Sequence, residues 1–298
     1  MATSSRFRPD TGLSVRMGLT MLLLAGLFVA LMWAVATFTS AGWWLGVIIG
    51  LGVFWAQWYF SDTMALKAMK ARVVTPQEAP QLHAIVDRLC AQANMPKPRV
   101  AIADTPMPNA FATGRSPKRA VVCATTGIMN KLDERELEGV MAHELSHVAH
   151  RDVTVMTIAS VVGILAGFLT RMTIFSNVGR SRDSGPVILM IIVVSIVVYA
   201  VSFVLTRLLS RYREMAADRA GAYLTGQPSH LATALTKITG EMQRIPSKDL
   251  REKEAYNTFF FAPALTGKMD LASLFASHPP LDKRLDQLAK ISVEMGRE

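Results

Sequence analysis

The chain of 298 residues is 51% hydrophobic and only 18% charged, a composition that favours an integral membrane protein. Its net charge of +9 does not indicate a nucleic-acid-binding protein, because no basic run alternates with aromatic residues in a soluble segment; basic residues beside membrane spans, attracted to anionic lipid, explain the charge better. The two cysteines, Cys90 and Cys123, are isolated, and a functional disulfide is not expected in a reducing cytoplasm.

The first predicted elements are two transmembrane helices that form a hairpin, 17–60, after a cytoplasmic N-terminal segment, 1–16. Residues 17–61 contain no Asp, Glu, Lys, Arg or His, and this length is about twice what one helix needs to cross a hydrocarbon core of about 30 Å. A short polar stretch, 37–42, divides the segment into two helices. A cleaved signal peptide is not expected, since its apolar core would be only about 7 to 15 residues long.

A soluble segment, 61–152, follows the hairpin. Apolar residues at helical spacing predict a helix over 76–94. Segments rich in Val and Ala then predict a small sheet, with strands at 99–103, 110–113 and 119–124. The edge of such a sheet can bind an extended peptide through main-chain hydrogen bonds. Asn109 is a candidate substrate-binding residue at this edge, or only a turn residue.

The end of this segment, VMAHELSHVAHRD, contains the motif H-E-x-x-H, with His143, Glu144 and His147. Residues four apart lie on one face of a helix, so two imidazoles can bind one metal ion while the Glu between them activates a water molecule. Zinc suits this chemistry, because three protein ligands leave a fourth position open for water. Flanking apolar residues at helical spacing predict a buried helix; the alternative is a solvated helix that happens to carry two histidines.

Another pair of charge-free segments predicts a second hairpin, 153–206. Segment 187–206 is long enough to span a membrane, whereas segment 153–170 has 18 residues and could instead be a buried helix of the soluble part. A full span is favoured, because an odd number of spans would place the two halves of the candidate metal site on opposite sides of the membrane.

Basic residues beside the spans predict the orientation of the chain. Lys and Arg residues precede the first span and follow the second and fourth spans, but the first turn has none. Both termini and the motif are therefore predicted to be cytoplasmic. Three arginines in the second turn, 171–186, argue mildly against this orientation.

The last segment, 207–298, offers a third metal ligand. Glu214 lies one helical turn before Asp218, so Glu214 can bind the metal while Asp218 accepts the N–H of a ligating imidazole. The alternative is an amphipathic helix whose arginines neutralise both acids. His150 is a weaker candidate ligand, because on a continuous helix it lies about 10 Å from His143.

Four motifs, in this order, resemble the HtpX family of bacterial membrane zinc metalloproteases, relatives of the CAAX prenyl endopeptidases. They are NAFATG at 109–114, VMAHELSHVAHRD at 140–152, REMAADRAGA at 213–222 and SHPPLDKRLDQL at 277–288. The resemblance implies a zinc-dependent endopeptidase of the inner membrane that takes part in the quality control of damaged or misassembled membrane proteins.

The resemblance also implies roles for individual residues. One zinc ion would be bound by His143, His147 and Glu214. Glu144 would be the general base, and Asp218 would orient a ligating imidazole.

The resemblance places His278 close to the zinc ion, where it could stabilise the oxyanion of a tetrahedral intermediate. From the sequence alone, this residue could simply cap or pack before a helix that begins near Leu281.

These interpretations together predict a mainly α integral membrane protein, with four transmembrane helices in two hairpins and a cytoplasmic, zincin-like α+β catalytic domain that contains a small sheet. The catalytic domain is assembled from 61–152 and 207–298. The expected partners are membrane-protein or unfolded-polypeptide substrates and the lipid bilayer, and not nucleic acid. Two alternative functions stay open: a prenyl-protein endopeptidase, and a zinc-binding membrane scaffold or chaperone without turnover. An intramembrane protease is disfavoured, because the motif helix is too polar for that depth.

Overall fold

The computed structural model describes residues 11–38, 48, 51–52, 55–56, 58–176, 185–244 and 279–296. The chain forms two compact units. As far as it is described, the sheet unit comprises Phe60–Thr154 and Ser210–Glu298, and the helical unit comprises Thr11–Tyr59 and Val155–Leu209.

The helices and strands are numbered in chain order over the described residues. The helices are α1 (Thr11–Phe38), α2 (Ser61–Ala68), α3 (Pro80–Ala93), α4 (Thr126–Lys131), α5 (Glu134–Ala149), α6 (Asp152–Ser176), α7 (Gly185–Thr225), α8 (Pro228–Arg244) and α9 (Leu281–Glu294). The strands are β1 (Ala71–Val73), β2 (Arg99–Ala103), β3 (Ala110–Thr113) and β4 (Val121–Thr125).

The four strands form one mixed sheet in the order β1-β2-β4-β3. β2 and β4 are parallel, whereas β1 pairs with β2 and β3 pairs with β4 in antiparallel fashion. The predicted small sheet is thus confirmed, and its three predicted strands are β2, β3 and β4. β1 was not predicted, because three residues are too few to show a strand pattern. β3 lies at one edge of the sheet.

Helices α3, α5 and α8 enclose the core of the sheet unit. Leu82, Ile85 and Leu89 on α3 are buried together with Met141 and Leu145 on α5. Their spacing of three and four residues gives each helix one apolar face, and burying these faces stabilises the unit.

α3 begins four residues later than the sequence predicts. It starts at Pro80, which suits the first turn because its missing N–H needs no acceptor there. It ends at Ala93, and the next residue, Asn94, has a φ of 51°, the left-handed conformation that terminates helices.

α5 carries the H-E-x-x-H motif and is fixed at its first turn. Asp133 accepts a hydrogen bond from the Glu136 N–H at 2.9 Å, and the Glu136 side chain accepts one from the Asp133 N–H at 3.0 Å. Such a capping box stabilises a helix by about 1 kcal/mol. Lys237 of α8 pairs with the same Glu136 at 2.8 Å, so α5 is also attached to its neighbour.

The helical unit contains α1 and the apolar parts of α6 and α7. Leu24, Ala159, Val162 and Val198 form part of its buried core. Many other apolar side chains of these helices, such as Leu22, are exposed in the structure. Exposed apolar faces of this extent are typical of helices that contact lipid.

Among the described helices, one is long and apolar enough to cross a membrane, over Ile192–Thr225. The pair α5 and α6 passes the same criterion only as a bent span, and the apolar stretch within α1, Ser14–Ala30, is shorter. Much of the second predicted helix, 43–60, lies outside the described residues. The four predicted spans stay a prediction.

Candidate metal centre

Three side chains from two helices converge inside the sheet unit. His143 and His147 are one turn apart on α5, and their Nε2 atoms are 3.1 Å apart. Glu214 on α7 places one carboxylate oxygen 3.6 Å from His143 Nε2 and the other 3.5 Å from His147 Nε2. With zinc–ligand bonds of about 2.0 to 2.2 Å, the corners of a tetrahedral site lie about 3.3 to 3.6 Å apart. One ligand atom from each of the three residues lies within 4.8 Å of the other two, a spacing that allows all three side chains to bind one ion.

The protonation of the two imidazoles also suits a cation. The Nδ1 atoms of His143 and His147 lie 2.8 Å from Asp218 Oδ1 and 2.5 Å from Asp152 Oδ2. Because ionised carboxylates only accept hydrogen bonds, each Nδ1 carries the hydrogen and each Nε2 presents a lone pair. Two lone pairs that face each other across 3.1 Å repel, so this geometry calls for a proton or a metal ion between them.

His143 is oriented by a buried carboxylate that is itself held by a guanidinium. Arg284 of α9 binds both oxygens of Asp218, with Nε to Oδ2 at 2.7 Å and Nη2 to Oδ1 at 2.6 Å. Asp218 is fully buried and Arg284 is 2% exposed. The fork-to-fork geometry fixes the carboxylate, and thereby the ring of His143.

His147 has a corresponding pair of supporting residues. Asp152, at the start of α6, contacts His147 Nδ1 with Oδ2. Arg213 of α7 reaches the same oxygen at 2.5 Å with Nη2, and its Nη1 donates to the Asp152 carbonyl oxygen at 2.7 Å.

Three of these four supporting residues were not predicted from the sequence: Asp152, Arg213 and Arg284. All three lie within the recognised motifs, but nothing in the sequence shows what they contact. The alternative was that arginines of the same helix neutralise Glu214 and Asp218. Arg213 instead pairs with Asp152.

Glu144 lies next to His143 on α5 and is 4% exposed. Burial raises the pKa of its carboxyl group, which the charges of the two histidines and a hydrogen bond from the Ala112 N–H partly offset. Ala112 belongs to the edge strand β3. The motif helix therefore brings its acidic residue against β3, the edge strand among the described residues.

The two imidazoles differ in their affinity for protons. Burial alone would lower the pKa of His143, but hydrogen bonds and charges from Asp218 and Glu214 outweigh it and raise that pKa to about 9. Burial and repulsion by His143 lower the pKa of His147. The two pKa values are shifted in opposite directions, so His143 is favoured as the protonated ring and His147 as the neutral ring.

The remaining predicted site residues have different outcomes. Asn109 is buried before β3, where its N–H donates to Thr125 Oγ1 and its carbonyl oxygen accepts from the Thr125 N–H, both at 2.9 Å. Its role in substrate binding stays a prediction. His150 caps the C-terminus of α5 and is not part of the cluster of possible metal ligands found among the described residues. His278 lies outside the described residues.

The sequence is similar to those of known proteases along almost its whole length. Residues 76–292 match peptidase family M48. The protease HtpX homolog 1 of Streptomyces coelicolor is 54% identical, over 98% of this chain and 97% of that protein. The protease HtpX homolog of Moorella thermoacetica is 51% identical, over 96% of each chain.

The fold is similar to that of a solved structure. The crystal structure of S. mikatae Ste24p aligns with 94% of this chain, with a TM-score of 0.52 and 18% sequence identity. This chain spans 66% of the length of that protein. At this identity the likeness concerns the fold alone.

Proposed function

Because this chain belongs to peptidase family M48, and within it to the HtpX proteases, it is a membrane metalloendopeptidase, and we propose that it hydrolyses peptide bonds at the cluster of His143, His147 and Glu214. Family membership confirms the resemblance found in the sequence motifs. The substrate and the roles of single residues are parts of the proposal.

The observation that carries the proposal is the convergence of two imidazoles from α5 with a carboxylate from α7, whose ligand atoms lie within 4.8 Å of one another. We assign His143, His147 and Glu214 as ligands of one zinc ion. When bound, zinc would supply Lewis-acid polarisation of the scissile carbonyl and lower the pKa of a water molecule. The nitrogen and oxygen donors of this set are those that zinc prefers.

Glu144 is assigned as the general base. Its carboxylate would accept a proton from the attacking water and later donate it to the leaving amine. Burial raises the pKa of this carboxyl group and so strengthens its affinity for the proton that it would accept. Asp218 keeps His143 in the required tautomer.

The edge strand β3 is proposed to bind the substrate. In an antiparallel pair, residues alternate between those bonded to the partner strand and those facing away. Asn109 bonds to Thr125 of β4, so Ala110 and Ala112 direct their main-chain groups away from β4. An extended peptide could add to this edge beside Glu144, with Asn109 fixing the start of the strand.

The membrane arrangement predicted from the sequence is also part of the proposal. Two hairpins, 17–60 and 153–206, would anchor a cytoplasmic catalytic domain made of 61–152 and 207–298. Damaged or misassembled membrane proteins would then be cut in their cytoplasmic regions. We include His278 as a candidate oxyanion-stabilising residue, on the strength of the family motif around it.

Glu144→Gln tests the assignment of the base. Gln is nearly isosteric but cannot accept a proton, so zinc content should stay at one ion per chain while kcat for an unfolded membrane-protein substrate falls by about 10²- to 10⁴-fold. Metal analysis and a cleavage assay of the full-length protein in detergent measure both quantities.

Glu138→Gln is the matched control, because Glu138 lies on the same helix and pairs with Arg88 at the surface, away from the cluster. It should cleave like the wild type. His143→Ala should lose the metal together with cleavage. Full cleavage by Glu144→Gln would contradict its assignment, and zinc binding without any cleavage by the wild type would leave only a binding scaffold.

A further inference from the structure

Arg213 is a buried charge that hydrolysis itself does not use. It is 5% exposed, and burying a guanidinium is unfavourable unless its charge and donors are matched. Among the described residues, Asp152 supplies the groups that match the two terminal nitrogens: its carboxylate lies 2.5 Å from Nη2 and its carbonyl oxygen 2.7 Å from Nη1. Arg213 therefore holds both the side chain and the main chain of Asp152.

Asp152 transmits this restraint to the metal cluster. Its Oδ2 atom contacts both Arg213 and Nδ1 of His147. Asp152 also follows a bend between α5 and α6, where Arg151 has a φ of 55°. A non-glycine residue in this region is strained, so the position of Asp152 depends on contacts such as those of Arg213.

Arg213 directly precedes Glu214 in the sequence. One turn of α7 thus supplies a carboxylate to the metal cluster and a guanidinium to the acid that orients His147. We propose that Arg213 is a positioning residue for the metal centre, which sets the orientation of the His147 ring through Asp152. When α7 packs against α5, the same helix turn then supplies Glu214 as a ligand and orients His147. The inference rests on the proposed metal centre.

The other half of the site has the same order of groups. Arg284, Asp218 and His143 form a guanidinium, carboxylate and imidazole series, with all contacts between 2.6 and 2.8 Å. Both ligating imidazoles are thereby directed by a restrained carboxylate. Arg213 differs from Arg284 in that it lies on the helix that also carries a ligand.

The variants that test this proposal are Arg213→Met, Arg213→Lys and Asp152→Asn in the full-length protein. Met resembles the apolar stem of the Arg side chain and removes every donor, whereas Lys restores the charge without the fork that reaches two oxygens. Asn keeps the shape of Asp152 and removes its charge. Arg219→Met is the matched control, because Arg219 is on the same helix and pairs with Glu294 at the surface, at 3.9 Å.

Zinc affinity, measured by competition with a chelator, is the main readout. The loss of outer hydrogen-bond partners typically weakens metal binding by about 10- to 100-fold, which we expect for Arg213→Met and Asp152→Asn. Arg213→Lys should recover part of the loss, and Arg219→Met should bind zinc like the wild type. The double variant Arg213→Met/Asp152→Asn should be about as weak as either single variant, because the two residues act in series.

The absorption spectrum of the cobalt-substituted protein provides a readout of ligand geometry that a general loss of stability does not change. We expect altered band positions in Arg213→Met, and no change in Arg219→Met. Zinc affinity of Arg213→Met within twofold of the wild type, with an unchanged cobalt spectrum, would overturn the proposal even if its thermal stability falls. That outcome would not affect the proposed function. The proposed function has a separate test, and it fails if Glu144→Gln keeps full activity.

Discussion

At the scale of single residues, the unequal proton affinities of His143 and His147 make a prediction about the proposed metal site. The pKa of His143 is raised to about 9, whereas that of His147 is lowered. At neutral pH a metal ion therefore has to displace one proton, from His143, since His147 is already neutral.

We accordingly predict that zinc affinity rises with pH. At pH values below the His143 pKa of about 9, each decrease of one pH unit should weaken apparent zinc binding about tenfold, because the fraction of deprotonated His143 falls tenfold. Above that pKa the affinity should level off. Chelator competition between pH 6.5 and 9.5 measures the slope, and calorimetry in two buffers with different ionisation enthalpies should show release of about one proton near pH 7.5.

The metal-stripped protein should show the opposite trend in stability. A group whose pKa is raised by folding stabilises the fold below its ordinary pKa, about 6.5 for His, and this contribution is lost as the pH rises through about 9.

Zinc affinity that does not vary between pH 7 and 9 would contradict the assigned protonation of His143.

At the scale of secondary-structure elements, the crossing of α5 and α7 decides whether the ligands meet. Gly221 of α7 lies against the main chain of α5, where an added Cβ would be 3.0 Å from the His143 backbone N and 3.3 Å from its Cα. The absence of a side chain at Gly221 allows Asp218, one turn earlier, to approach His143 within 2.8 Å.

Gly221→Ala is predicted to damage the metal centre more than the fold. The new methyl group has to push α7 away by a few tenths of an ångström, at a cost of about 1 to 3 kcal/mol, but Ala in a helix recovers about 1 kcal/mol relative to Gly. The free energy of unfolding should therefore fall by no more than about 2 kcal/mol. Zinc affinity should fall by about tenfold or more, because the contacts of Asp218 and Glu214 with His143 lengthen.

Gly240→Ala on α8 is the control for this comparison. A Cβ at Gly240 meets nothing within 4 Å, so this variant should gain about 1 kcal/mol and bind zinc normally. Equal zinc affinity in Gly221→Ala and Gly240→Ala would show that the helix crossing does not position the ligands.

Local sequence patterns predict most of the helices and strands, but they do not predict which side chains pair across the fold. The helix of the H-E-x-x-H motif and strands β2 and β3 follow from periodicity and from turn residues at their ends. The convergence of His143, His147 and Glu214 also follows the motifs. The pairs Arg213–Asp152 and Arg284–Asp218 could not be predicted, because each joins residues more than sixty positions apart and an arginine near an acid has many possible partners in sequence.

At the scale of the whole molecule, the orientation of the chain in the membrane can be tested with cysteines. Burial raises the pKa of the native thiols Cys90 and Cys123 to about 11 and about 12, so both should react slowly and give little background. In intact cells, an impermeant thiol reagent should label Ser40→Cys and Ser181→Cys, which lie in the two predicted turns. Ser4→Cys should be labelled only after permeabilisation.

Labelling of Ser4→Cys in intact cells would reverse the predicted orientation. Labelling of Ser40→Cys without Ser181→Cys would show that 153–206 does not form a second full hairpin. In that case, 153–170 would be the segment to reassign, because it is the shorter of the two.

The separation of the ligands along the chain also affects when the enzyme can first act during its synthesis. A ribosome that has completed α5 has made His143 and His147 but not Glu214, and the arginine that restrains Asp218 follows later still, at position 284. A nascent or truncated chain that ends before these residues lacks part of the proposed ligand set for the metal ion. On the proposed ligand set, proteolytic activity would thus begin only after most of the polypeptide has been translated.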